Sequence, residues 1–244
     1  GINNSTNGTA QTVLGGQNNS ISNIDYSVIY GGLNNSLTGI LANSVGPYTI
    51  GGGLNNTIPS VFTNSNGANT ISGGTNNTMT VYVGQLFNTY NTISGGNNNK
   101  TGSSSSGTIS GGTGNSVFYT GGTISGGSSN TVGVSGGSVV YSTISGGTQN
   151  LINGNYSTIS GGYGNTGINS LFNTNNYSTI SGGYSNHVQI TNTNPVHYFV
   201  IGGGDRNVVT TNASGADYHT ILGGTQNLTT YIAPTIGGGS NNTS

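Results

Sequence analysis

Thr143-Ile144-Ser145-Gly146-Gly147-Thr148-Gln149-Asn150 is followed fifteen residues later by Thr158-Ile159-Ser160-Gly161-Gly162-Tyr163-Gly164-Asn165. Each unit opens polar, apolar, polar, the period-two pattern of a half-buried strand. The Gly pair suits the strand's end, where the backbone needs positive φ or passes close to a neighbour. Asn, three places after the second Gly, fits a corner: its short amide tolerates the left-handed region and bonds nearby backbone groups. Stacked in register, such amides would also form a ladder along an axis.

Working outward, clear copies begin at Thr70, Thr92, Thr108, Thr123, Thr143, Thr158 and Thr179, and degenerate ones at Thr12, Val28, Thr49, Val200, Thr220 and Thr235, thirteen in all. The second Gly recurs at intervals of 16, 21, 21, 22, 16, 15, 20, 15, 21, 21, 20 and 15 residues. Two spacing classes imply a short coil with an optional extension of five or six residues. Met79-Thr80-Val81-Tyr82-Val83 and Val61-Phe62-Thr63 are examples, read as added strand or loop on one side. Internal repetition at such a period is the signature of a stacked architecture. With the central Ile inward, Ile71, Ile93, Ile109, Ile124, Ile144, Ile159 and Ile180 form one apolar column.

The fold class predicted is therefore all-β: a β-solenoid or β-roll of about thirteen 15- or 21-residue coils. Residues 1–244 make a single repetitive array, read as a piece of a longer fibre. At strand spacing the array would be roughly 60 Å long. One coil cannot stand alone. About three buried apolar side chains, worth about 1.5–3 kcal/mol each, face about 1–2 kcal/mol of backbone entropy per ordered residue. Hydrogen bonding and packing between coils must supply the difference.

Composition narrows the function. Gly supplies 47 residues and Asn 39, while charged residues make up 2% of the chain. Low net charge, only four Pro and apolar residues at fixed places argue for order over disorder. Two basic residues, Lys100 and Arg206, cannot build a nucleic-acid footprint. No apolar run approaches the ~20 residues of a membrane span. There is no Cys, hence no disulfide or thiolate metal site.

The run Tyr141-Ser142-Thr143-Ile144-Ser145-Gly146-Gly147 through Tyr156-Ser157-Thr158-Ile159-Ser160-Gly161-Gly162 resembles one head repeat of the trimeric autotransporter adhesins followed by the next. Similar repeats occur in tail and surface fibres of large viruses and phages. The resemblance covers nearly the whole chain, with a Gly pair where the adhesin strand has one Gly. It implies a left-handed β-roll associating as a parallel homotrimer, with the apolar column buried at the threefold axis. It also implies an extracellular, cell-surface or virion-surface location.

No constellation for catalysis stands out, and no enzyme is expected. Glycan hydrolysis needs two spaced carboxylates, and the only acids are Asp25, Asp205 and Asp217. Asp205 and Asp217 could be drawn with His219 as a site, but turn and loop residues are the simpler reading. Gly202-Gly203-Gly204-Asp205 comes near a calcium-roll turn, yet one acid cannot supply six to eight oxygens. His187, His197 and His219 fall in different coils, without a metal ligand set. Arg206 beside Asp205 reads as a surface pair worth little. No cofactor is expected.

Two repeated surfaces remain as candidates. Tyr90, Tyr141, Tyr156, Tyr177 and Tyr218 lie two residues before the strand Thr, with Tyr26 at a degenerate copy. Such a ladder can bind sugar faces or a partner protein, or simply cover the coil edge. The second is a Thr-x-Ser face: Thr70 and Ser72, Thr92 and Ser94, Thr108 and Ser110, Thr123 and Ser125, Thr143 and Ser145, Thr158 and Ser160, Thr179 and Ser181. It resembles the hydroxyl faces of β-helical ice-binding proteins, although such ladders also pack well in any solenoid. Sequons at Asn34, Asn55, Asn76, Asn155, Asn176, Asn212 and Asn227 would carry glycans in a glycosylating pathway. The function expected is a structural or adhesive surface fibre acting by multivalent contacts, self-associated as a trimer or filament, with a cell-surface glycan or protein as receptor. An ice-binding solenoid and a self-assembling filament or coat subunit are the alternatives.

Overall fold

The computed structural model describes residues 1–39, 44–60, 67–80, 90–102, 106–118, 120–133, 141–168, 176–190, 197–211, 217–230 and 233–244. Val61-Phe62-Thr63 and Val81-Tyr82-Val83 lie outside them. Every helix or strand among the described residues is a β-strand. The chain divides into two compact units, Gly1–Gly121 and Gly122–Ser244. Each is a parallel β-solenoid.

In the first unit one sheet is built from the Thr-Ile strands Thr49–Ile50, Thr70–Ile71, Thr92–Ile93 and Thr108–Ile109, preceded by Thr12–Val13 and Val28–Ile29. Each pairs in parallel with the same position of the next coil: Ile50 with Ile71, Ile71 with Ile93, Ile93 with Ile109. The Ile71-to-Ile93 step spans 22 residues and the Ile93-to-Ile109 step 16, yet the register is the same. The extension residues thus leave strand pairing unshifted, as the two spacing classes require.

A second sheet follows the corner Asn, through strands such as Ser36–Gly39, Thr57–Ser60, Thr78–Met79, Lys100–Thr101 and Ser116–Val117. Between the Gly pair and the Asn runs a third line of single parallel bridges, Leu33 to Leu54 to Thr75 to Asn97 to Thr113. The second unit repeats the plan. Ile124 pairs with Ile144, Ile144 with Ile159, Ile159 with Ile180 and Ile180 with Ile201 on one side. Val132 pairs with Ile152, and Val188 with Val209, on the other.

Two apolar columns, not one, form the core. Ile71, Ile93 and Ile109 are fully buried, and so are Ile58, Met79 and Val117 from the second sheet. Ile124, Ile144, Ile180 and Ile201, with Val132, Ile152, Val188 and Val209, do the same in the second unit. Both columns are closed within the chain itself. The burial that the adhesin resemblance assigns to a threefold axis is already complete in one copy.

A column of Asn side chains runs beside the apolar pair. Asn77 donates from Nδ2 to the Gly73 carbonyl of its own coil at 2.9 Å and to the Gly96 carbonyl of the next at 3.1 Å. Its Oδ1 accepts from the backbone N–H of Asn99 at 3.0 Å. The same scheme recurs at Asn56, Asn99, Asn150, Asn165, Asn186, Asn207 and Asn227. This is the expected ladder, but the left-handed residue is not its Asn. Positive φ falls one place earlier, on Asn76, Asn98, Ser129, Gln149, Ser185, Arg206 and Gln226. The ladder Asn is fully buried and is selected by its three hydrogen bonds, not by tolerance of a left-handed backbone.

Candidate functional site: the tyrosine ladder and the hydroxyl face

The ring stack lies wholly in the second unit. Tyr177, Tyr198 and Tyr218 are register partners on adjacent strands. Tyr141 to Tyr156, Tyr156 to Tyr177, Tyr177 to Tyr198 and Tyr198 to Tyr218 have centroid separations of 5.9, 5.2, 4.9 and 5.2 Å. Interplanar angles close from 21° at the first step to 3° at the last. All five rings are exposed.

Sequence reading placed Tyr141, Tyr156, Tyr177 and Tyr218 in this column and missed Tyr198. Its copy starts with Val200 instead of Thr, but the two-residue offset was there to be read. Tyr90 is also exposed, yet it belongs to the first unit, where the equivalent positions are Ala68 before it and Ser106 after it. Neither of those two positions carries a ring. Tyr26 sits at a left-handed corner, φ 57°.

Stacking determines what the ladder offers. Near-parallel rings about one strand spacing apart cover each other's faces, and each pair adds about 0.5–1.5 kcal/mol beyond burial. Part of the ladder's role is thus to tie coils together. Towards solvent its interior members present ring edges and phenol hydroxyls. A second, shorter stack, Tyr163 on Tyr184 at 5.3 Å and 8°, lies on the line of single bridges.

The Thr-x-Ser face is formed as the alternation requires. Ile71 points inward with no exposure, while Thr70 is half-buried and Ser72 exposed, and the same holds at Thr92 and Ser94, Thr108 and Ser110, Thr143 and Ser145, and Thr158 and Ser160. Thr70 pairs in register with Thr92 and Thr92 with Thr108 in the first unit, as Thr123 does with Thr143, Thr143 with Thr158 and Thr158 with Thr179 in the second. Hydroxyls therefore repeat at one strand spacing along each column.

The histidines and acids do not converge. His197 and His219 are buried, with Phe199 between them: the His197 and Phe199 rings are stacked at 5.7 Å and His219 meets Phe199 edge-on at 5.1 Å. His219 Nδ1 lies 3.0 Å from the Thr229 hydroxyl. Asp205 stands at an exposed corner with Arg206, so it and His219 do not share a site. The side chain of Asp217 lies outside the described residues. Among the described residues no group of three His, Cys, Asp or Glu could hold a metal.

His187, half-buried on the second sheet, has its pKa lowered from the ordinary histidine value by desolvation. The unfolded chain then binds more protons between that lowered value and about 6.5. This contribution to stability is complete above the ordinary value and is lost as pH falls below it. Thermal melts between neutral and mildly acid pH should show a smaller acid loss in His187→Gln than in the parent; equal losses would remove His187 from the pH response.

The sequons divide by burial. Asn34, Asn55 and Asn76 are exposed at left-handed corners, one above another, with Asn55 Nδ2 donating to Asn76 Oδ1 at 3.2 Å. Bulky glycans cannot fill all three at one strand spacing. Asn155 is 7% exposed and Asn227 is a fully buried ladder residue, so neither is an acceptor in the folded chain. Asn212 and the side chain of Asn176 lie outside the described residues. No protein-family model matches the sequence, and no curated protein matches it significantly.

Proposed function

We propose that the chain forms about thirteen coils of 15 or 21 residues and serves as a non-catalytic structural and adhesive segment of an extracellular or virion-surface fibre. The observation that carries this reading is the repetition of uncharged, exposed tyrosine and hydroxyl groups at one strand spacing on a closed parallel stack. Such a surface makes many equivalent weak contacts, which become strong only when several engage together. The near absence of charge leaves little electrostatic defence against association. Self-association as a trimer or filament belongs to the same proposal. Because the apolar columns are closed within one chain, such contacts would use the outer tyrosine and hydroxyl faces. Sedimentation equilibrium separates one chain from three and from an open series.

Beads coated with the chain at graded density test adhesion. Binding to a cell-surface panel should rise more steeply than in proportion to coating density. No binding at any density would end the adhesive reading and leave a purely structural one.

A second reading, ice binding, rests on the in-register Thr-x-Ser face. It predicts a gap between melting and freezing points in nanolitre osmometry, abolished by Thr143→Lys together with Thr158→Lys. The adhesive proposal predicts no gap.

A further inference from the structure

We infer that the corner formed by Tyr184, Asp205 and Arg206 is a binding step for one pyranose ring of a neutral glycan; this rests on the adhesive reading and names its ligand class. The chain has five charged side chains, and two of them, Asp205 and Arg206, are adjacent on this corner. Along the line of single bridges the order is Tyr163, Tyr184, Asp205, Thr225. Tyr163 covers one face of Tyr184, at 5.3 Å and nearly parallel. The opposite face looks along the axis towards the coil that carries Asp205, where a short side chain replaces the next ring. Tyr184 is accordingly 50% exposed. In the longer ladder, by contrast, Tyr177 and Tyr198 each have rings on both sides.

The polar part of the step is a hydrogen-bonded pair. Arg206 takes the left-handed corner conformation, φ 52°, and its Nε donates to Asp205 Oδ1 at 3.1 Å. That bond uses one carboxylate oxygen and one guanidinium nitrogen. Asp205 Oδ2 and the two terminal nitrogens of Arg206 are then the acceptor and donors that a ligand meets, on side chains 35% and 56% exposed. A pyranose has an apolar C–H face and a rim of hydroxyls. The open face of Tyr184 takes the first. Charge-assisted hydrogen bonds from the pair take the second, the carboxylate accepting from a hydroxyl and the guanidinium donating to one. The pair has no net charge, which favours a neutral sugar over a carboxylated or sulfated one. A single step binds weakly, and repetition on a fibre provides the avidity.

Titration of the whole chain with cellotetraose, chitotetraose, mannotetraose and sialyl-lactose, followed by saturation-transfer NMR, tests the assignment. At least one neutral tetrasaccharide should bind. Tyr184→Ser and Asp205→Asn should each weaken it about tenfold or more, while Gln189→Ala, on the exposed side of strand His187–Ile190, stays within about twofold. Melting curves confirm that each variant is folded, and Asp205→Asn is nearly isosteric. Failure of every neutral sugar to bind, binding by both corner variants as tight as the parent's, or preference for sialyl-lactose would overturn the inference. Bead adhesion that survives both corner variants overturns it too, while leaving the adhesive reading intact. Sugar binding lost in the corner variants, with no bead adhesion by the parent chain, supports this step and removes the broader reading instead.

Discussion

Gly147→Ala is expected to destabilise the second unit by about 3 kcal/mol or more, while Gly146→Ala, one residue away, stays within about 1 kcal/mol of the parent. Gly147 has φ 84°, in the left-handed region where a side chain is strained. A Cβ there would overlap the carbonyl oxygen of Gly162 and come within 2.6 Å of Asn150 Nδ2 and 2.8 Å of the Gly162 nitrogen. That carbonyl is not free to move aside. It accepts from the Thr148 N–H at 2.9 Å and from Asn150 Nδ2 at 3.1 Å, two bonds that hold one coil to the next. Gly146 has no atom within 4 Å of its would-be Cβ and a φ outside the left-handed range, so alanine there mainly restricts the unfolded chain. Urea unfolding followed by circular dichroism gives the comparison. Amide exchange at Thr148 and Asn150 shows whether the loss is local, as stacked repeats allow. Equal midpoints for the two variants would contradict the close coil-to-coil approach at the second Gly.

The contrast within one Gly pair shows what the repeat made legible. Thr-Ile-Ser was readable as a strand because the alternation is local and recurs; the structure places Ile71, Ile93 and Ile144 in the predicted column. The second column was half visible. Thr78-Met79 repeats polar then apolar after the corner, but where the first strand repeats Thr-Ile the second changes its residues from coil to coil, as in Lys100-Thr101 and Ser116-Val117, and so lacks a recurring pattern. The left-handed corner was misplaced by one residue because its residue changes along the chain, Asn34, Asn55, Asn76 and Asn98 but Ser129, Gln149, Ser185 and Arg206 later, whereas the Asn beside it recurs throughout and drew the assignment. Nothing in the local sequence distinguishes an Asn that recurs for its backbone conformation from one that recurs for its hydrogen bonds. The Tyr184, Asp205 and Arg206 corner was illegible for another reason. Asp205 and Arg206 are adjacent in sequence and read as a surface pair; only the register that puts Tyr184 one coil away gives that pair an aromatic face.

Asn165 offers the sharpest test of the ladder. It is fully buried, and its side chain accepts from Asn186 N–H at 2.9 Å and donates to the Gly161 and Gly183 carbonyls at 2.9 and 3.1 Å. Asn165→Ala strands one buried donor and deprives two carbonyls of a partner, and a loss of about 3–5 kcal/mol is expected. Asn165→Asp keeps the shape and the acceptor but turns an oxygen towards both carbonyls and buries an unpaired charge. At neutral pH it should therefore be at least as damaging as alanine. The two variants part on acidification. Burial raises the pKa of the new carboxyl, so the folded state takes up its proton first and gains stability as pH falls, and the neutral acid can then donate to one of the carbonyls. Melts of Asn165→Asp should rise between neutral pH and about pH 5, where those of the parent, carrying His187, decline. An Asp variant that tracks the parent's pH slope, or an Ala variant that melts with the parent, would mean that apolar burial and strand pairing hold the coils and the amide column only fills space.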